Sequence, residues 1–140
     1  MSFEVDLYQY LQGISGLTSL IGDRLFTDIA PTQVLNPPYV TYLKIGGETP
    51  HHLDGSTTLV DQRYQFDIYS LTPDGREAIF EALRLALDGY NGTMGSSSVR
   101  FFLENEQNVT DEPNDASQKI IYRCIVTFDV WLHRTLADPN

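Results

Sequence analysis

Two long segments of the chain alternate apolar and polar residues, which is the pattern of a half-buried β-strand. The first covers residues 59–70. Its apolar positions are Tyr64, Phe66 and Ile68, and the positions between them are Arg63, Gln65, Asp67 and Tyr69. Because side chains alternate along an extended chain, the two sets should point to opposite faces of a sheet. We expect the apolar face to meet a helix.

The second alternating segment covers residues 119–133. One face is apolar over seven alternations: Ile120, Tyr122, Cys124, Val126, Phe128, Val130 and Leu132. The other face is mixed: Lys119, Ile121, Arg123, Ile125, Thr127, Asp129, Trp131 and His133. This second face is neither fully polar nor fully apolar. It is therefore suited either to a protein interface or to cover by another part of the same subunit, and both interpretations stay open.

Helical periodicity appears in three places. After the first long strand, Thr72 is a predicted N-cap with Pro73 at the first helical position, and Gly89 is predicted to supply the left-handed C-terminal turn. The apolar stripe of this helix is Ile79, Leu83, Leu87 and Tyr90, flanked by Phe80 and Ala86. Near the N-terminus, Ser2 is a predicted cap for a stripe of Phe3, Leu7 and Leu11. Ser15 is a predicted cap for a second short helix.

The remaining segments predict short strands and connections. Strands are indicated by RLFTDI, by YVTYLKIGG and by residues 99–109. Residues 48–58 indicate a polar loop or a long, mobile hairpin tip, NGTMGSSS indicates a flexible link, and DEPND indicates a turn. The predicted fold is α+β: an antiparallel β-sheet of four to five strands with two to three helices packed mainly on one face. We expect one domain over residues 1–140, which is an ordinary domain size.

Composition and charge exclude several classes of function. No apolar run is long enough to span a bilayer, and the acidic N-terminal segment does not resemble a secretory signal, so we expect a soluble protein made in a cytoplasm, with no membrane partner. The chain has 9 Lys+Arg against 19 Asp+Glu, a formal net charge of −10. The bases are scattered, so nucleic acid should not be bound specifically. The densest acidic segment runs from Glu104 to Asp115, and most of its acids are expected to lie on a solvated strand end and loop.

The sequence offers little support for catalysis. It contains no nucleophile elbow and no phosphate-binding glycine loop. Asp67 and Asp129, on neighbouring outer faces, are the weak candidates for acid/base work. Pairing of these aspartates with Arg63 and Arg123 across strands is the commoner use of such charges. We expect a protein that is not an enzyme.

Metal and thiol chemistry are equally poorly supported. His51 and His52 lie near Asp54, but zinc needs three or four suitably spaced ligands and the third histidine, His133, is distant in sequence. Cys124 lies in an apolar alternation, which indicates a buried structural thiol. We expect no metal site and no cofactor.

The order of these features resembles the tail-completion family of long-tailed bacteriophages, whose members are also called tail terminators or head-to-tail joining proteins. The resemblance covers about Leu7 to His133 and rests on three segments. These are PPYV at Pro37–Val40, RYQFDIYS at Arg63–Ser70 and TFDVW at Thr127–Trp131. Their order and spacing carry the resemblance, since strands of each kind occur in many proteins.

The resemblance implies a structural role in virion assembly, with the protein located in the virion tail at the junction of head and tail. It implies that this assembly takes place in the cytoplasm of a bacterial host. Family members form a ring, commonly of six subunits, that caps the tail tube and gives the head a surface to dock on. DNA passes through the ring without being specifically bound. The implied partners are further copies of the chain, the tail tube protein and the head-tail connector protein.

We predict that the mixed outer faces contact the adjacent subunit or the tube. The residues concerned are Arg63, Gln65, Asp67, Arg123, Asp129 and Trp131. Two polar segments are predicted to contact the tube or the connector: the loop with His51 and His52, and the hairpin with Asp111 and Glu112. Other readings are another head-tail connector component, or a small-ligand-binding or hydrolytic α+β domain.

Overall fold

The computed structural model describes residues 3–27, 36–47, 51–52, 57–95, 97–111 and 120–135. The helices are α1 (Phe3–Gln12), α2 (Ser15–Ile21) and α3 (Pro73–Leu87). The strands are β1 (Leu25–Thr27), β2 (Tyr39–Gly47), β3 (His51–His52), β4 (Thr57–Ser70), β5 (Asn91–Met94), β6 (Ser97–Asp111) and β7 (Ile121–Thr135). Strands β4, β6 and β7 are long and carry most of the sheet.

All seven strands belong to one sheet with the order β1-β2-β4-β7-β6-β5, and β3 pairs separately with β4. Strands β1 and β2 are parallel, and every other pair is antiparallel. The α+β class is therefore confirmed. The sheet is mixed rather than purely antiparallel, and it has more strands than the four to five that the sequence predicts.

The additional strands lie in segments expected to be a loop and a link. In β3, His51 pairs with Leu59 of β4. In β5, Asn91 pairs with Arg100 of β6, and Gly95 takes the turn between these two strands with a φ of 60°. Both strands have four residues or fewer, too short to show a period of two. Their backbone pairing to a longer neighbour places them in the sheet.

The start of α3 confirms the predicted cap. The Thr72 hydroxyl accepts a hydrogen bond from the amide of Gly75 at 3.0 Å, and Pro73 is the first helical residue. Gly89 has a φ of 78°, which is the left-handed conformation predicted for the turn at the C-terminal end of α3.

The predicted cap of α2 is wrong. Helix α2 begins at Ser15 itself, and Ile14 precedes it with no side-chain hydrogen bond to the helix. The backbone carbonyl of Ile14 accepts from the amides of Leu17 and Thr18, so the helix starts without a polar side chain. The predicted cap of α1, Ser2, lies outside the described residues.

The helices cover one face of the sheet, which we call the inner face. Buried side chains of all three helices join the apolar residues of this face in a single core. Two tyrosine hydroxyls tie the layers together: Tyr42 of β2 donates to the carbonyl of Glu4 at 2.9 Å, and Tyr10 of α1 donates to that of Ala86 at 2.7 Å. No helix in the described part of the chain is long and apolar enough to cross a membrane.

Aromatic rings link the strands within this core. Phe66 of β4 is fully buried, stacks on Tyr42 of β2 with centroids 5.4 Å apart, and meets Phe128 of β7 edge to face at 5.6 Å. Its ring thus connects the three strands at the middle of the inner face.

Changing Phe66 to Ala should lower the free energy of unfolding by about 3–5 kcal/mol, because the lost ring leaves a cavity between two other aromatic side chains. Urea unfolding followed by tyrosine and tryptophan fluorescence measures the change. The matched control is Leu85→Ala in α3, where the side chain is 73% exposed, with an expected change below about 0.5 kcal/mol. Equal effects of the two substitutions would contradict the central place of Phe66 in the core.

Candidate functional site

The candidate site is the face of the sheet opposite the helices, which we call the outer face. The register of β4 with β7 places Arg63 opposite Asp129 and Asp67 opposite Ile125. Residues directly opposite in an antiparallel pair share a face. All six predicted residues of the mixed faces therefore lie together: Arg63, Gln65, Asp67, Arg123, Asp129 and Trp131. Their role as an interface stays a prediction.

A polar cluster lies at one end of the outer face. Asp67 is only 6% exposed, and one carboxylate oxygen lies 3.4 Å from the guanidinium of Arg123. The side-chain amide of Gln65 donates to both carboxylate oxygens of Asp67 at 3.1 and 3.2 Å. The guanidinium of Arg123 also lies over the ring of Tyr69, 5.5 Å from its centroid, and Tyr69 stacks on Tyr39 of β2.

The side chains of this cluster are partly shielded from solvent. Burial raises the pKa of Tyr69, and the charge of Arg123 opposes the rise. The Nε atom of Arg123 is buried without a hydrogen-bond partner in the described structure. The expected pairing of Asp67 with Arg123 is confirmed, and it orients both side chains along the sheet rather than toward solvent.

Arg63 has a different partner from the one its register indicates. Its guanidinium Nε lies 3.1 Å from a carboxylate oxygen of Glu104, reaching across β7 to β6. Glu104 lies at the register shift between Leu103 and Asn105, which is a β-bulge. A bulge inserts one residue into a strand and redirects its side chain. Glu104 is exposed, as expected for the acidic segment, and the bulge places its carboxylate beside Arg63.

A groove of about 540 Å³ lies at the other end of the outer face, where β5, β6 and β7 run side by side. The residues that line it include Asn91, Ser98, Arg100, Phe102, Trp131 and His133. Phe102 is 46% exposed, which is high for a phenylalanine in a sheet, and Trp131 is half-buried. The indole nitrogen of Trp131 donates to the Asp129 carboxylate at 3.1 Å, which orients its ring beside the groove. We call these residues the aromatic groove.

No part of the described chain covers the aromatic groove. The first helix, one candidate for covering the outer face within the subunit, buries Phe3, Leu7 and Leu11 in the core on the inner face instead. Among the described residues, the mixed face is therefore left open at this end.

The aspartates proposed as weak acid/base candidates do not form a pair. Asp67 lies opposite Ile125, four positions along β7 from Asp129. At the usual rise of a strand, this separates them by about 13 Å. Each also has its own partner, Arg123 for Asp67 and Trp131 for Asp129. The arrangement serves to hold side chains in place and does not bring two carboxylates to one substrate atom.

The histidines are closer in space than in sequence. His51 pairs with Leu59, which pairs in turn with His133, so two strand spacings, about 10 Å, separate their backbones. Within the described residues, no three His, Cys, Asp or Glu side chains converge on a point that would suit a metal ion. Cys124 is buried, and burial raises the pKa of its thiol to about 11. The thiol is therefore protonated at neutral pH, as a structural cysteine should be.

The predicted contact segments are described only in part. His51 and His52 form β3, and Asp111 is the last residue of β6, paired with Ile121. Glu112 lies outside the described residues. Sequence reasoning did not single out Arg100 or Phe102 of the outer face, and it named Glu104 only as part of the acidic segment. Only the alternation of Arg100 and Phe102 within β6 indicated that those two share a face.

Two comparisons with known proteins identify similar proteins. A family model described as "Tail completion protein gp17" matches residues 5–133. Among solved structures, a chain of a "Virion of native gene transfer agent (GTA) particle" is similar over 94% of this chain and 95% of its own length, with a TM-score of 0.72 and 15% identity. At that identity, the likeness concerns the fold alone. A comparison with curated protein sequences finds no match.

The pairing of Asp67 with Arg123 should show up as a coupling free energy. In a double-mutant cycle of Asp67→Asn and Arg123→Met, we expect about 1–3 kcal/mol of coupling in the free energy of unfolding, because the carboxylate is buried and the pair is partly shielded from water. Urea unfolding of the four proteins gives the value.

The exposed pair of Arg84 and Glu81 on α3, 2.7 Å apart, is the matched control. Its coupling should be clearly smaller, because solvent screens both groups. A coupling for Asp67 and Arg123 no larger than that of the control would show that the outer-face pair adds nothing to stability.

Proposed function

Since this chain belongs to the tail completion protein gp17 family, we propose that it caps the phage tail tube as a ring of identical subunits and presents the surface to which the head docks. Membership of this family makes it a structural protein of the virion, located in the tail and assembled with other tail and head proteins. The occurrence of the same fold in a gene transfer agent virion supports this role.

The observation that carries the proposal is the open, mixed outer face. It combines an exposed Phe102, a half-buried Trp131 and the charged pair of Arg63 and Glu104. Aromatic residues and arginine are enriched in protein interfaces, and an open aromatic patch rimmed by charges is typical of a surface that binds another protein. We infer that the outer face contacts the adjacent subunit or the tube.

The proposed partners follow from the role. Further copies of the chain form the ring, commonly six in this kind of assembly; the tail tube protein lies on one side and the head-tail connector protein on the other. The segment with His51 and His52 and the hairpin with Asp111 and Glu112 are proposed to contact the tube or the connector. A formal net charge of −10 suits a channel through which DNA passes without being held, because like charges repel.

The proposal predicts a defined assembly. Light scattering across a wide range of protein concentration should give a mass near six times the 15.8 kDa of the chain, and the protein should cosediment with isolated tail tubes that lack it. Binding to tail tubes is the decisive test of the capping role. Failure of the protein to bind their ends would contradict the capping role, whatever its mass in solution.

Changing Trp131 to Ala should weaken ring formation or tube binding by on the order of tenfold or more, because large aromatic side chains dominate the energy of interfaces. The Trp131→Phe variant is the control that keeps most of the apolar area but loses the hydrogen bond to Asp129. Thermal unfolding of the monomeric chain should remain cooperative in both variants. Normal assembly of the Trp131→Ala protein would remove this residue from the interface.

A further inference from the structure

The aromatic groove contains a cation without an acidic partner. Arg100 is exposed on β6, directly opposite Trp131 of β7, and lines the groove beside Phe102 and His133. The ion pairs within the described residues involve Arg63, Arg84 and Arg123, so Arg100 is paired with no acidic side chain there. An exposed cation beside the exposed ring of Phe102 and the half-buried ring of Trp131 suits an acidic ligand.

The opposite end of the same strand has the complementary chemistry. Residues Glu104–Asp111 of β6 include three acids and no base, and one of the acids, Glu104, is paired with Arg63 of β4. Glu106 is exposed, as are most of its neighbours in this segment. Within the described residues, the segment pairs only with β7, because β5 ends at the level of Ser97–Arg100. It therefore has one free backbone edge as well as its negative charge, and we call it the acidic edge.

One subunit cannot bring its own acidic edge to its own aromatic groove. Arg100 and Asp111 are eleven residues apart on one continuous strand, a distance of about 36 Å at the usual rise per residue. Glu106 is about 20 Å from Arg100 by the same measure. Both regions are parts of a strand paired to β7 along its length, so they cannot fold toward each other.

We propose that the aromatic groove of one subunit binds the acidic edge of a second copy of this chain. The inference rests on the proposed ring and assigns the two surfaces that form it. A contact between two different surfaces is heterologous, and it generates a closed ring when the rotation between successive subunits closes. Groove against groove and edge against edge would each bring like charges together, which disfavours a two-fold dimer of the same surfaces.

Charge reversal on either side tests the contact. Arg100→Glu and Glu106→Lys, each alone, should weaken self-association in sedimentation velocity by on the order of tenfold or more, because each places like charges in contact. The controls Lys44→Glu and Glu77→Lys make the same changes in net charge at exposed positions in β2 and α3, and they should leave association within about threefold of the original protein.

Mixing the two reversed proteins is the decisive experiment. In the Arg100→Glu protein a carboxylate in the groove faces Glu106 of the next copy, and in the Glu106→Lys protein a lysine on the edge faces Arg100, so each variant should associate poorly by itself. Together they should form alternating assemblies of the original mass. A mixture that stays monomeric, or single variants that associate normally, would overturn the proposal. Weakened association of the Arg100→Glu protein together with normal association of the Glu106→Lys protein would also overturn it, since the groove would then have another occupant.

Failure of this inference can be told apart from failure of the proposed function. If the original protein is monomeric at every concentration, the groove does not bind a second copy of the free chain and the inference is wrong. Cosedimentation of the same protein with tail tubes then reports on the capping role independently. If the Arg100→Glu and Glu106→Lys proteins bind tube ends to the same extent as the original protein, the ring is formed through other surfaces.

Discussion

The antiparallel pairing of β4 with β7 is the constraint on which the rest of the structure depends. Fourteen residues of β4 align without a break with fourteen of β7, from Thr57 opposite Thr135 to Ser70 opposite Tyr122. Because side chains alternate strictly along both strands, this single register decides which residues enter the core. A slip by one residue would expose Phe66 and Phe128 and bury the charges of the outer face.

The two faces of that ladder have different energetic roles. The inner face contributes stability through buried aromatic and aliphatic side chains. The outer face includes a buried Asp67, an Arg123 with one unpaired nitrogen and an exposed Phe102. Buried ion pairs add little net stability, because removing both charges from water costs about as much as their attraction returns. The stability of one subunit therefore does not account for these outer-face residues, which agrees with the proposed interface.

Long periodic elements were predictable because their patterns extend over many residues. The alternation in β4 and β7 and the stripe of α3, with its cap at Thr72, appear in the structure as expected. Of the short elements, β1 and α2 were predicted, whereas β3, β5 and the start of α2 were not. Strands β3 and β5 contain too few residues for a period, and α2 starts at Ser15 through the backbone of Ile14 rather than through a polar side chain. In each case, pairing or packing with a distant segment outweighs the local signal.

The sequence by itself determined the α+β class, the residues of each face of the long strands, and the family resemblance. It did so because alternation and helical period are properties of consecutive residues. Only the tertiary structure decided that Glu104 pairs with Arg63, that Arg100, Phe102 and Trp131 line one groove, and that the groove and the acidic edge lie far apart. Those relations depend on strand order and on a bulge in β6, which join residues distant in sequence and leave no periodic signal of their own.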